Sequence, residues 1–223
     1  MHTIAGLERR HVSRRRRRSE RVRDRAFSAG YCHPRRLARM ELSPEGVWSG
    51  QKVQLRPLRR ADAREVFQAL NAEGMTDGLL DDAPSTLAGV VERLAEDERR
   101  WTEGAAFAFA VVERGDLVGR ADLRPDPHVP EALNLGFWIA RPRWGHGLAT
   151  DTARVALRVA FRDLGVDEVW AGAASWNGAS QAILEKLMVH REHRDQGFWK
   201  DGRWVANERF SLSAAQWRER SCR

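Results

Sequence analysis

The stretch ALNLGFWIARPRWGHGLATDTARVALRVAF, residues 132–161, limits what this chain can fold into more than any other. It opens with a mostly apolar run from Ala132 to Ala140, breaks at Arg141-Pro142, and passes two glycines, Gly145 and Gly147. A short apolar run bounded by such a break reads as a buried strand. Beyond it Ala149, Ala153, Ala156, Leu157, Ala160 and Leu164 share one helical face, with Arg154, Arg158 and Arg162 on the other and Gly165 as a stop. A face made largely of alanine can lie close against a sheet. The junction therefore predicts a strand, a tight loop and a helix packed back onto the strand's own sheet.

The flanking segments fit the same class. Lys52 to Leu58 alternates and reads as a first strand, and Ala61 to Leu70 as an amphipathic helix. A longer helix is expected after Ser85, with Leu87, Val90, Val91 and Leu94 inward and EDERR outward. Ala105 to Glu113 and Leu117 to Pro125 read as strands joined by a hairpin turn at Arg114 to Asp116. Asp167 to Ser175 is a further strand, and Asn177 caps a short helix through Leu187. The segments VHREHRDQGFW and GRWVANERFSLS close as an antiparallel hairpin. The order β-α-α-β-β-β-α-β-α-β-β combines a meander with a βαβ crossover, so a mixed sheet follows.

Charge divides the chain into two parts, residues 1–39 and residues 40–223. Residues 1–39 hold thirteen arginines against three acids, a net of +10, and include RRRRR from Arg14 to Arg18. Residues 40–223 hold 25 basic residues against 28 acids, a net of −3, so the basic character belongs to the tail. A segment this charged and this poor in apolar residues is expected to be disordered. Its arginines suit contact with RNA or the ribosome through residues 9–39; the competing reading is that the true start is Met40. No run of eighteen apolar residues, hydrophobic leader or cysteine framework is present, and the expectation is a cytoplasmic, metal-free protein, monomer or homodimer.

The loop WGHGLAT (Trp144 to Thr150) is built for an anion. Glycines let the backbone curl and approach a ligand, and the first amides of the following helix have no intrahelical partner. A Walker loop would need a lysine that is not here. A dinucleotide fingerprint would need a third glycine where Thr150 stands and an acid ending the next strand, but that strand ends in AGAAS.

The segments LGFWIA, WGHGLAT and WNGASQAILEKL together resemble the GNAT N-acetyltransferase superfamily, most closely its branch of ribosomal-protein alanine N-acetyltransferases. The similarity runs from about Val53 to Trp217. It implies a largely antiparallel mixed sheet of about six to seven strands with about four helices and a splayed central strand holding acetyl-CoA. By the same resemblance, the amides of Trp144, Gly145, His146, Gly147, Leu148, Ala149 and Thr150 bind the diphosphate, Trp144 standing where the family has Gln or Arg. The backbone of Ile139 and Ala140 pairs with the pantetheine arm, and the Ile139 amide serves the acetyl oxygen. Asn177 contacts the cofactor arm, and Ser180 hands a proton to the departing sulfur.

Two departures from the family pattern follow. Asn134 stands where the branch often carries a glutamate base, leaving Asp122, Glu131 and Glu208 as substitutes. Leu187-Met188-Val189 replaces Leu-Gly-Phe, so the helix exit should be disturbed. An α-amino group with pKa near ~8 is about a tenth neutral at pH 7, whereas a lysine near ~10.4 is almost wholly protonated. A weak base is therefore better matched to a protein N-terminus, with a small-molecule amine or an RNA- or ribosome-binding role as alternatives.

Overall fold

Eight strands form one sheet in the computed structural model, which describes residues 40–79, 82–200 and 203–221; the expectations for residues 1–39 lie outside that range. The strands are β1 (Trp48–Ser49), β2 (Gln54–Pro57), β3 (Phe107–Glu113), β4 (Asp116–Pro125), β5 (Leu133–Ile139), β6 (Glu168–Ala174), β7 (Val189–Lys200) and β8 (Arg203–Ser213). They lie in the order β1-β2-β3-β4-β5-β6-β8-β7. Every neighbouring pair is antiparallel except β5 and β6. The helices are α1 (Ala63–Leu70), α2 (Leu87–Thr102), α3 (Leu148–Arg158), α4 (Gly178–Leu187) and α5 (Ala214–Ser221).

Two elements exceed the expectation. β1 has only two residues and carries no periodic signal. α5 has one aromatic anchor, Trp217, stacked on Phe161 with ring centres 5.4 Å apart. Its start is marked by a capping box: Ser213 Oγ accepts from the Gln216 amide, and Gln216 Oε1 accepts from the Ser213 amide.

Both faces of the sheet are covered. Phe107, Phe109, Leu123, Leu133, Leu135, Val169, Ala171, Phe210 and Leu212 pack with the small face of α3. On the other face Ala108 and Ala110 meet Val66 of α1 and Val90 and Leu94 of α2. The buried stripe of α2 is Val90, Leu94 and Trp101, with the partly buried Asp97 in line at helical spacing, which leaves Val91 beside it. Leu87 and Val91 are each 38% exposed, contrary to the sequence reading. Thr86 caps this helix by accepting from the Gly89 amide.

The acid in the stripe has a partner. Arg120 of β4 reaches Asp97 at 2.7 Å and grips both oxygens of Asp122. Burial raises the Asp97 pKa against the opposing pull of Arg120. A charge so placed is tolerated because the guanidinium answers it.

α3 continues into a wider turn over Val159–Asp163, where the Leu164 amide donates to Val159, so the helical path ends about where expected. The exit of α4 corrects the sequence reading. Met188 leaves the helix in extended backbone, φ −129°, and is 2% exposed. A glycine is needed only where the exit turns left-handed, and this one does not.

Candidate active site

The parallel pair opens partway along its length. β5 and β6 are in register only at Leu133 with Val169, Asn134 with Trp170, and Leu135 with Ala171. Past these, β5 stays paired to β4 as far as Ile139 with Gly119, and β6 stays paired to β8 as far as Ala174 with Asn207. The two strands thus part between firm outer partners. Gly119 allows the close approach on the β4 side, because a Cβ there would stand 2.3 Å from the Trp138 carbonyl oxygen.

The bonding parity says which groups face the gap. The Ala140 amide donates to Val118 at 2.7 Å, and alternation along an antiparallel pair directs Trp138 and Gly136 the same way. Phe137 and Ile139 therefore turn their amides and carbonyls toward the opening. Ala140 does not: its carbonyl also accepts from the Arg143 amide, at 2.9 Å. Both its backbone groups are engaged within the fold and directed away from the gap. The Ile139 carbonyl, on the open edge, accepts from Trp144 Nε1 at 2.6 Å. The aromatic that replaces the family's Gln or Arg thus folds back over the end of β5.

The loop carries the signature of an open helix start. Gly145 and Gly147 have φ of +80° and +77°, a region that a side chain makes costly. Gly147 is the cap residue of α3 and offers no side-chain acceptor. The first helical bond runs from Asp151 to the Gly147 carbonyl, so the amides of Leu148, Ala149 and Thr150 lie ahead of it. His146 is exposed, with its Nδ1 3.3 Å from the Arg143 carbonyl, as a spacer would be.

The second junction is closed by its own side chains. Asn177 caps α4 by accepting from the Ser180 amide at 3.0 Å and donates to the Gly78 carbonyl at 2.8 Å. Each end of its carboxamide makes one hydrogen bond inside the fold. Trp176 Nε1 donates to the Asp77 carbonyl, and Lys200 donates to the carbonyls of Thr76 and Leu79. These bonds fasten the turn between α1 and α2 over the ends of β6 and β7. A cavity of about 410 Å³ remains there, lined by Thr76, Asp77, Asp82, Trp176, Lys200 and Arg203 among others. Of these, only Trp176 belongs to a segment that carries the family resemblance. Ser180 lies in the first turn of α4, and among the described residues its Oγ has no hydrogen-bond partner.

The candidate bases are placed away from that role. Asp122 is held by Arg120. Glu131 sits in the loop before β5, at the opposite end of the strand from Ile139. Glu208 accepts from His190 at 2.7 Å and from His193, and these bonds lower its pKa and raise that of His193. Asn134 donates to Asp126, a buried acid gripped by Arg209. A glutamate in its place would set two carboxylates against each other, which accounts for the amide.

A family model of the acetyltransferase (GNAT) domain matches residues 52–189. The chain belongs to the GNAT family. It is an N-acetyltransferase with the mixed α/β GNAT fold. A curated relative from Bacillus subtilis (strain 168), named "Probable N-acetyltransferase YjcK", is 24% identical over 170 residues, covering 70% of this chain and 94% of the relative. RimJ of Mycobacterium smegmatis, solved in complex with CoA-disulfide, superposes with a TM-score of 0.68 at 18% identity, over 80% of this chain and 96% of that one. The ribosomal-protein-S5-alanine acetyltransferase of Vibrio fischeri superposes with a TM-score of 0.69 at 17% identity, over 77% and 98%. Among the described residues no helix of this GNAT chain is long and apolar enough to cross a membrane, and no group of three or more His, Cys, Asp or Glu is placed to hold a metal ion.

Proposed function

We propose that this GNAT chain moves an acetyl group from acetyl-CoA to the α-amino group of a protein N-terminus. The observation that carries the reading is the parting of β5 from β6 beside an uncapped glycine loop. Acetyl-CoA supplies the activated thioester. Amides of the Gly145 to Thr150 loop are suited to its diphosphate, and the Ile139 amide, turned into the gap, is suited to its acetyl oxygen. Ser180, with an uncommitted hydroxyl at the next helix start, is the candidate donor to the leaving sulfur.

The acceptor side favours an amine that needs little help to lose its proton. Asp122 and Glu208 are occupied and Glu131 is remote, so none of these three takes the amine's proton. An α-amino group meets that condition far better than lysine. The cavity beneath the Thr76–Gly78 turn offers the carboxylates of Asp77 and Asp82 and the half-exposed indole of Trp176 to an incoming cationic N-terminus. Likeness to ribosomal-protein acetyltransferases supports a protein acceptor. Residues 40–223 then form the catalytic domain.

The test is acetylation of peptides that differ only in a free or blocked α-amino group, each with one internal lysine. Transfer should follow the free N-terminus at pH 7. Equal rates on the blocked peptides would overturn the α-amino assignment, and turnover confined to small amines would favour that alternative.

A further inference from the structure

The glycine loop offers amide dipoles; a formal positive charge stands beside them, brought from elsewhere in the chain. Lys52 lies in the turn between β1 and β2, yet its Nζ donates to the His146 carbonyl at 2.7 Å. The same nitrogen is 3.3 Å from the point a Cβ on Gly147 would occupy. An ammonium has three donors, and the carbonyl uses one. Lys52 has no ion-pair partner among the described residues.

The placement of this lysine is enforced. Asp151, in the first turn of α3 and 5% exposed, accepts at Oδ2 from the Lys52 amide at 2.7 Å and from the Val53 amide at 3.1 Å. Arg158, further along α3, donates to the Ser49 carbonyl at 2.7 Å. Gly50 lets the turn sit this low, since a Cβ there would meet Asp151 Oδ2 at 2.4 Å. Residues 49–53 are therefore strapped to α3. The carboxylate that does the strapping is engaged with backbone amides and is not paired with the lysine ammonium. An exposed, unpaired ammonium on a strapped backbone at the rim of an open amide loop is an arrangement that a diphosphate completes.

We propose that Lys52 is a ligand of the cosubstrate's diphosphate, and that Asp151 is the positioning residue that holds it there. This rests on the acetyl-CoA reading of the loop. The experiment is calorimetry on the full chain with CoA and with 3′-dephospho-CoA, beside steady-state transfer from S-acetylpantetheine, which has no phosphate. Lys52→Met should weaken both nucleotides alike, by about tenfold or more. Lys52→Gln, which keeps a donor for His146 but drops the charge, should show the same loss, and Lys52→Arg should recover most of it. Transfer from S-acetylpantetheine should stay within about twofold of wild type, as a lost phosphate contact cannot affect a donor without phosphate.

Three results would overturn the assignment. One is unchanged CoA affinity in Lys52→Met. The second is a defect seen with CoA but not with 3′-dephospho-CoA, which would move the lysine to the 3′-phosphate. The third is equal damage with S-acetylpantetheine, which would make the strap a structural brace alone. A wild-type chain that bound neither nucleotide would instead refute the acetyl-CoA reading itself.

Discussion

The junctions after β5 and β6 are built on one plan and finished in opposite ways. Each follows a strand of the parallel pair and leads through a loop into a helix, and the two helices, α3 and α4, touch. After β5, two left-handed glycines enter α3 with no side-chain cap, and the first amides lie ahead of the first helical bond. After β6, Asn177 caps α4 and, with Trp176, ties that corner to the turn between α1 and α2. The fold provides two such helix starts and caps only one of them with a side chain. What distinguishes a ligand site from a wall here is whether the chain's own side chains have satisfied the helix start.

The comparison breaks most severely at Gly147. Gly147→Asp should lower affinity for CoA by at least about a hundredfold, because it places a carboxylate where the diphosphate belongs, within reach of Lys52. Aspartate tolerates left-handed backbone better than most residues, so the domain should still fold. Calorimetry beside a melting curve decides the matter, and wild-type affinity in this variant would place the diphosphate elsewhere.

A smaller effect is expected at the sealed junction, in chemistry alone. Ser180→Ala should reduce kcat by more than about tenfold with little change in the Kd for acetyl-CoA, as general acid help acts mainly in the transition state. An unchanged kcat would mean that water protonates the thiolate.

The smallest effect sharpens the contrast directly. Asn177→Ala removes a cap worth about 1 kcal/mol and the tie to Gly78, so Tm should fall by several degrees. Because both ends of the carboxamide are already engaged, affinity for CoA should stay within about twofold. A large loss of affinity without a change in Tm would restore the cofactor contact that the family resemblance implies.

The order of elements and the two junctions were legible in the sequence because they rest on local rules. The period of Ala149 to Leu164, the glycines at 145 and 147 and the cap at Asn177 each act within a few residues of themselves. The inward face of α2 was only half legible: Val90 and Leu94 followed periodicity, but Asp97 is inside because Arg120 of β4 answers it. Lys52 and Asp151 lie 99 residues apart, and nothing in either neighbourhood points to the other. The same holds for Trp176 and Asp77, whose bond ties the end of β6 to the turn between α1 and α2.

By itself, then, the sequence determined that a strand, an open glycine loop and a close-packed helix would occur in that order. Only the tertiary structure decided where β5 and β6 part, that Ala140 turns its amide to β4 and Ile139 to the gap, and which cation stands over the loop. Local propensity acts through neighbours along the chain, whereas the charge and hydrogen-bond partners of a site are chosen by a register set in three dimensions.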